Sequence, residues 1–458
     1  MIEWLVLVLV GLLLFQLFRH RSDFQFFTLL SALLAILTIL VVPHLGYEFL
    51  NDLEITRLFH KQMRVPEGVY FSLVQPIIVS YSLGVLWFSF RSGSRKSQID
   101  KLTSIIRALS DLDWMRLILL FLIFAGTHSF RSMAPSSLEF IFYLFGSLKF
   151  GVVMVMVAKA RYLWLRILLL IGIPLSFALQ GGMFQAYLAT ILAIAVILNL
   201  LKSPRTVLIA SFVTIPFLFL LLLAKKELRI DAQNDELGLV EFQENFVAGG
   251  TQGLSSSKST IAPWLADDRQ LFTIYTRLNQ GFLVSAVIEK MEEGDEFEES
   301  IVFRSLLASI VPRFLWSDKP KAGGRENISK YTNLNLIGGT SMNISPFAEL
   351  IIEFSEFWTI LSGFFYGLLF CWVLNWIESK VISGQISILL MPSMLGQIYK
   401  VETDIMTLGN ILVKTILMGV MMIVIDRFIL RKIAATAGMT HNPFSWRETA
   451  KPNAVDSE

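Results

Sequence analysis

The sequence predicts an all-α, polytopic integral membrane protein with about eleven transmembrane helices and one large extracytoplasmic loop. Three observations carry that expectation. Of 458 residues, 54% are hydrophobic and only 17% are charged, where soluble domains carry about 25% charged residues. Mean hydropathy is +0.61. Apolar runs long enough for a bilayer core of about 30 Å recur along the chain. They stop only in one polar island from Lys225 to Glu356.

The apolar runs place spans at 2–18, 26–45, 68–90, 116–131, 138–158, 164–180, 183–200, 206–224, 357–377, 382–399 and 409–429. This divides the chain into a first membrane region (1–224), the island (225–356), a second membrane region (357–430) and a polar tail (431–458). Glu3 stands where a secretory leader would carry positive charge, so the first run reads as a retained span. Orientation follows from basic residues in short loops. Arg19 and Arg21 follow the first span, Arg91 to Arg116 the third, Lys159 to Arg166 the fifth, and Lys202 and Arg205 the seventh. Lys380 follows the ninth, and Arg427, Arg431 and Lys432 close the last. These loops alternate, so they share the cytoplasmic face. The N-terminus is then expected outside, the C-terminus inside and the island extracytoplasmic.

Within the island, residues 225–263 are polar and rich in Gly and Ser, which reads as loop. Asp267 and Asp268 suit a helix N-cap. Leu271, Ile274, Tyr275, Leu278 and Phe282 then recur at helical spacing, giving an amphipathic helix suited to a membrane surface. An acidic run from Glu292 to Glu299 separates it from a second apolar helix, about 300–311, which Pro312 stops.

Composition excludes several classes. Cys371 is the single cysteine, so no intrachain disulfide or multi-cysteine metal site can form. The net charge of +2 comes without a basic, aromatic-interleaved patch, so nucleic acid is not an expected partner. No nucleotide-binding loop, zinc motif or Ser-His-Asp order is present, and no cofactor or metal is expected.

The strongest chemical cluster is cationic: Arg313, Lys319, Lys321 and Arg325. Guanidinium forks bind phosphate oxygens in pairs and ammonium groups add point charge. Gly323 and Gly324 allow close backbone approach to an anion. At an outer membrane surface this combination fits a lipid phosphate or pyrophosphate; gripping phospholipid headgroups is the plainer use. Glu349, just ahead of the ninth span, reads either as a general base or as an ion-pair partner of one of those arginines. Asp318 and Glu326 are rival carboxylates. Asn343 and Ser341 are placed to hydrogen-bond sugar hydroxyls, or water. Arg269 and Arg277, two turns apart on one helix, either line a cavity or snorkel to headgroups. His128 and Arg131 end the fourth span, while Lys400, Glu402 and Asp404 form a short outer loop that either faces the island or, more plainly, pairs its own charges.

The stretch from Arg304 to Lys321, with Pro312, Arg313, Trp316, Lys319 and Pro320 at its core, resembles a segment of bacterial oligosaccharide repeat-unit polymerases of the Wzy type. Gly338, Gly339, Thr340 and Ser341, followed by Pro346 to Glu349, are similar to that family's stretch ending in Gly-Glu before a span. The spacing of Arg313 to Gly324 fits as well. The sequence-specific part of the resemblance covers residues 304–367; span count and loop placement extend it over most of the chain. Two details depart from the family. The hairpin at Leu179 to Gln185 lacks the family's arginine, and Glu353 to Glu356 replaces an Asn-Phe-Gly turn.

The resemblance implies a glycosyltransferase of the bacterial inner membrane, needing no cofactor. It would extend a glycan on polyprenyl pyrophosphate by attack from a lipid-linked repeat unit. It implies Arg313, Arg325 and Glu349 in catalysis, with Lys319, Lys321, Arg269, Arg277 and Asn343 binding substrate. Its partners would be the lipid-linked oligosaccharides and the bilayer, with a chain-length regulator left open. A ligase using the same carrier shares fold and donor, but such ligases tend to use an outer-loop histidine, and 225–356 contains none. A flippase or transporter would place its weight in repeats and broken helices at mid-membrane.

Overall fold

The computed structural model describes residues 2–20, 24–49, 63–92, 104–106, 109–129, 139–173, 194, 275, 278–294, 300–311, 315–316, 318–320, 325–334, 343–354, 356–383, 386–398 and 403–425. Every regular element among them is helical. The expected spans at 183–200 and 206–224 lie outside the described residues, as does nearly all of 225–277.

The chain opens with α1 (Ile2–Arg19); α2 (Gln25–Ala35), a π-helical turn (Ile36–Val41) and α3 (Val42–Phe49) then form one continuous rod. α4 (Glu67–Ser92), α5 (Trp114–Ser129) and α6 (Glu139–Lys159) follow. α7 (Leu163–Ile167) continues into a π-helical turn at Leu168–Gly172. The island contributes α8 (Gly281–Glu292), α9 (Ile301–Ile310), α10 (Arg325–Tyr331) and α11 (Pro346–Glu353). The chain then runs through α12 (Glu356–Ile382), a 3₁₀ turn (Ile388–Leu390), α13 (Met391–Ile398) and α14 (Ile405–Ile425). Among the described residues, three helical stretches of 18 residues or more are apolar enough to cross a membrane: Gln25–Tyr47, Glu67–Ser92 and Phe357–Ile382; the apolar helix from Ile405 is described in full only to Met421. The expected tenth span, 382–399, is instead an eight-residue helix behind a 3₁₀ turn. At 1.5 Å per residue α13 is only about 12 Å long.

The core is a bundle of α1, α2, α4 and α12. Glycines decide its closest contact. A Cβ on Gly363 would lie 2.8 Å from the Ile77 carbonyl, and one on Gly367 would lie 2.5 Å from that of Tyr81. Gly84 is pressed in the same way against the Phe364 carbonyl. Small residues four apart let two helix backbones meet, the usual solution where hydrophobic burial gives no drive between helices. The pairing of Gly363 with Ile77 and of Gly367 with Val85 makes α4 and α12 parallel. The Tyr81 hydroxyl donates to Ser31 Oγ at 3.1 Å and that of Tyr70 to the Ile39 carbonyl at 2.8 Å, so the α2 rod runs antiparallel to α4. His20 Nε2 lies 3.2 Å from the Ser89 carbonyl, which joins the C-terminal ends of α1 and α4. A second pair, α5 and α6, packs together, and α6 meets the 3₁₀ turn, α13 and α14. Lys159 closes the pair by donating to the Ser110 carbonyl at 2.7 Å. Gly151 of α6 lies against the Leu389 backbone, which seats the 3₁₀ turn on this pair.

Candidate functional site at the island helices

The described helices of the island pack into the rest of the molecule. Of these, α8 is buried from Gly281 to Ile288. Gly281 sits against Tyr70 and Pro43, and Gln280 N–H donates to the Thr38 carbonyl at 3.1 Å. α8 is therefore wedged between the α2–α3 rod and α4. α8 runs from Gly281 to Glu292, and Gly294 ends the turn after it at φ +83°, a conformation glycine adopts without strain. The expected amphipathic helix through Phe282 is interrupted ahead of it, at Asn279 and Gln280. Its early part, with Arg269 and Arg277, lies outside the described residues. α10 is tied to the end of α8: Lys290 Nζ donates to the Lys330 carbonyl at 2.8 Å and Asn333 Nδ2 to Glu293 Oε2 at 2.7 Å.

α9 is held at both ends by charge. Glu353 Oε2 accepts from Val302 N–H at 3.0 Å, within the first turn. Lys319 Nζ donates to the Val311 carbonyl at 3.0 Å, at the last turn. An anion at the N-terminus and a cation at the C-terminus both complement the helix dipole. The Lys319 contact also folds the cationic segment back onto α9. Within that segment Lys319 N–H donates to the Trp316 carbonyl at 3.2 Å, forming a turn, and Asp318 is exposed. Arg313 and Lys321 lie outside the described residues. Arg325 opens α10, with only its backbone described. Asn343 is half-buried just ahead of Ser345, the N-cap of α11, whose Oγ accepts from Phe347 N–H at 3.4 Å.

Glu349 is the centre of the arrangement. It is only 3% exposed. Its Oε2 accepts from Ile405 N–H at 2.7 Å, at the start of α14, and its Oε1 accepts from Ser305 Oγ of α9 at 3.4 Å. One carboxyl thus joins α11, α14 and α9. Burial pushes it well above the usual carboxylate range and the Asp404 carboxylate pushes the same way. The Ile405 N–H and the Ser305 hydroxyl oppose this and are outweighed. Asp404 itself caps α14, its Oδ1 accepting from Thr407 N–H at 2.6 Å. Behind Glu349, Phe347 meets Tyr81 and Tyr366 edge to face, with ring centroids 5.1 and 6.2 Å away, while the two tyrosine rings are tilted by 31°.

So the structure brings Glu349 and Asp404 together and places Lys319 at the far end of the same helix that carries Ser305. Sequence reasoning passed over Ser305 and the role of Glu353. The four-residue spacing of Glu349 and Glu353, which puts both on one face of α11, was the available signal. Among the described residues no cluster of three His, Cys, Asp or Glu could hold a metal. Compared with family models, curated proteins and solved structures, the chain matches none.

Proposed function

We propose that this protein is a membrane-embedded glycosyltransferase. It joins oligosaccharide repeat units carried on polyprenyl pyrophosphate into a longer glycan at the extracytoplasmic face of a bacterial inner membrane. The observation that carries this reading is the placing of Lys319. Its ammonium is fixed at the C-terminal end of α9, and Phe303, Leu306, Leu307 and Ile310 stand exposed along that helix. A cation anchored at the end of an apolar stripe suits a substrate that is itself an apolar chain ending in pyrophosphate.

In this reaction the acceptor hydroxyl oxygen attacks the anomeric carbon of the donor. The bond from that carbon to the pyrophosphate oxygen breaks, and polyprenyl pyrophosphate leaves with the electron pair. Negative charge gathers on the leaving group, so fixed cations there lower the barrier. Lys319, Arg313 and Arg325 take that role, with Lys321, Arg269 and Arg277 supporting the substrates and Asn343 a sugar hydroxyl. The hydroxyl proton passes to a carboxylate. Glu349 suits that step because burial and the neighbouring Asp404 carboxylate raise its proton affinity. No cofactor is needed.

The orientation proposed from the basic loops, with the N-terminus outside, requires the third and ninth spans to run the same way. The parallel packing of α4 and α12 agrees with that. The direct test is the purified protein in liposomes with a polyprenyl-pyrophosphate-linked repeat unit. The expected result is carrier-linked products of two and more units, with one polyprenyl pyrophosphate released per bond formed. Movement of the unit between leaflets without bond formation would overturn the proposal. So would transfer only to a different, added acceptor.

A further inference from the structure

We propose that α9 is a half-inserted membrane helix, which enters the outer leaflet beside α14 and turns its apolar stripe onto lipid acyl chains. Three observations meet here. The first is direction. Ser305 of α9 and Ile405 N–H of α14 share the Glu349 carboxyl, and Ser309 lies against Gly409. Residues four further along one helix thus meet residues four further along the other, so α9 and α14 run parallel. α14 is 21 residues long, about 31 Å at 1.5 Å per residue, which matches a bilayer core. α9 therefore descends with it.

The second is level. The N-terminal turn of α9 is held by Glu353, three residues before α12 begins, and Phe357 and Trp358 stand exposed in the first turn of α12. Exposed aromatic residues at the head of a span mark the interface between membrane and water. α9 starts at that level, and its ten residues carry it about 15 Å inward, half the hydrocarbon thickness.

The third is the division of faces. Ile301, Ser305, Ala308 and Ser309 are buried, while Phe303 (62% exposed), Leu306, Leu307 and Ile310 (63%) form the opposite face, with Arg304 exposed in the first turn, where its stem can reach back to the interface. A helix in water that left four large apolar side chains on one face would carry a costly patch. In lipid the same face is at rest.

This inference rests on the membrane orientation of α14 and not on the transferase chemistry. It is tested in the full chain, reconstituted in phosphatidylcholine and phosphatidylglycerol liposomes. Single cysteines carrying a nitroxide are placed at Phe303, Leu306 and Ile310, with exposed Glu292 as the aqueous reference. Cys371 is fully buried and stays unlabelled in the folded protein. Collision with dissolved oxygen is compared with collision with a water-soluble nickel chelate. The expected result is an oxygen-to-nickel ratio several-fold above that of Glu292→Cys, rising from 303 to 310 as the helix deepens. Nickel access at 306 and 310 equal to that at 292 would overturn the proposal. An immobilised label that neither reagent reaches would also overturn it, because a protein surface and not lipid would then cover the stripe. Neither result bears on whether glycan bonds are formed.

Discussion

At the residue scale, Glu349 is a carboxyl whose worth depends on its proton. Burial raises its proton affinity above that of the unfolded chain. The stability it contributes is therefore present in full below its ordinary value of 4.5 and is lost as pH rises through the raised value. Glu349→Gln keeps an acceptor for Ile405 N–H and carries no charge. Its melting temperature should match wild type at pH 4 and exceed it at pH 8, with a flatter profile between. Glu349→Ala leaves that N–H buried without its acceptor and should cost about 1–3 kcal/mol at every pH; thermal unfolding in detergent reads both. If the glutamine variant lost as much as the alanine variant at pH 8, the carboxyl would be held ionised. Glu349 stood out in the sequence as a carboxylate ahead of a span. Its partners did not, because Ser305 and Ile405 lie 44 and 56 residues away and no local pattern joins them. Its described partners are the Ile405 N–H and the Ser305 hydroxyl; the alternative of an ion pair with Arg313 or Arg325 falls on side chains outside the described residues.

At the scale of elements, the close approach of α4 and α12 depends on Gly363 and Gly367. Gly367→Leu drives a side chain into the Tyr81 backbone and should cost about 1–3 kcal/mol or more. Gly126 of α5 has open space around it. Gly126→Ala should gain up to about 1 kcal/mol, and equal effects at the two sites would contradict the packing described. The four-residue glycine spacing was legible in the sequence, whereas its facing partner on α4 was not. α9 offers a second test. Glu353→Ala removes an N-terminal partner and should cost about 1 kcal/mol. Lys319→Met should lower transfer by about tenfold or more through loss of charge at the leaving group, with a smaller change in melting temperature. The ends of α9 were readable from Pro312 and from the polar run before Ile301. The break in the expected tenth span was hidden, because the apolar run from Ile382 to Ile398 does not reveal where a helix hands over to a 3₁₀ turn.

At the scale of the molecule, hydropathy made the membrane class legible, and apolar runs located α1 through α6 to within a few residues. Packing of the island was not legible. Its polar surroundings read as an external loop, yet α8 is wedged between the α2–α3 rod and α4, and α11 joins α9 to α14. A contiguous buried run such as Phe282 to Ile288 is the sequence trace of such a wedge, and a surface helix would not bury it all round. The proposed orientation predicts that a reporter fused after Glu458 is cytoplasmic and one inserted at Gly250 is extracytoplasmic; the reverse pattern would invert the whole assignment.

The central claim is bond formation between repeat units, and glycan profiling tests it most directly. A host lacking this gene is complemented with wild type, Arg313→Ala or Lys319→Met, and its surface glycan is separated by gel and weighed by mass spectrometry. The account predicts polymer with wild type and single repeat units without the gene, with both variants shifted strongly toward single units. Full-length polymer stranded on the polyprenyl carrier, or repeat units trapped on the cytoplasmic face, would contradict it.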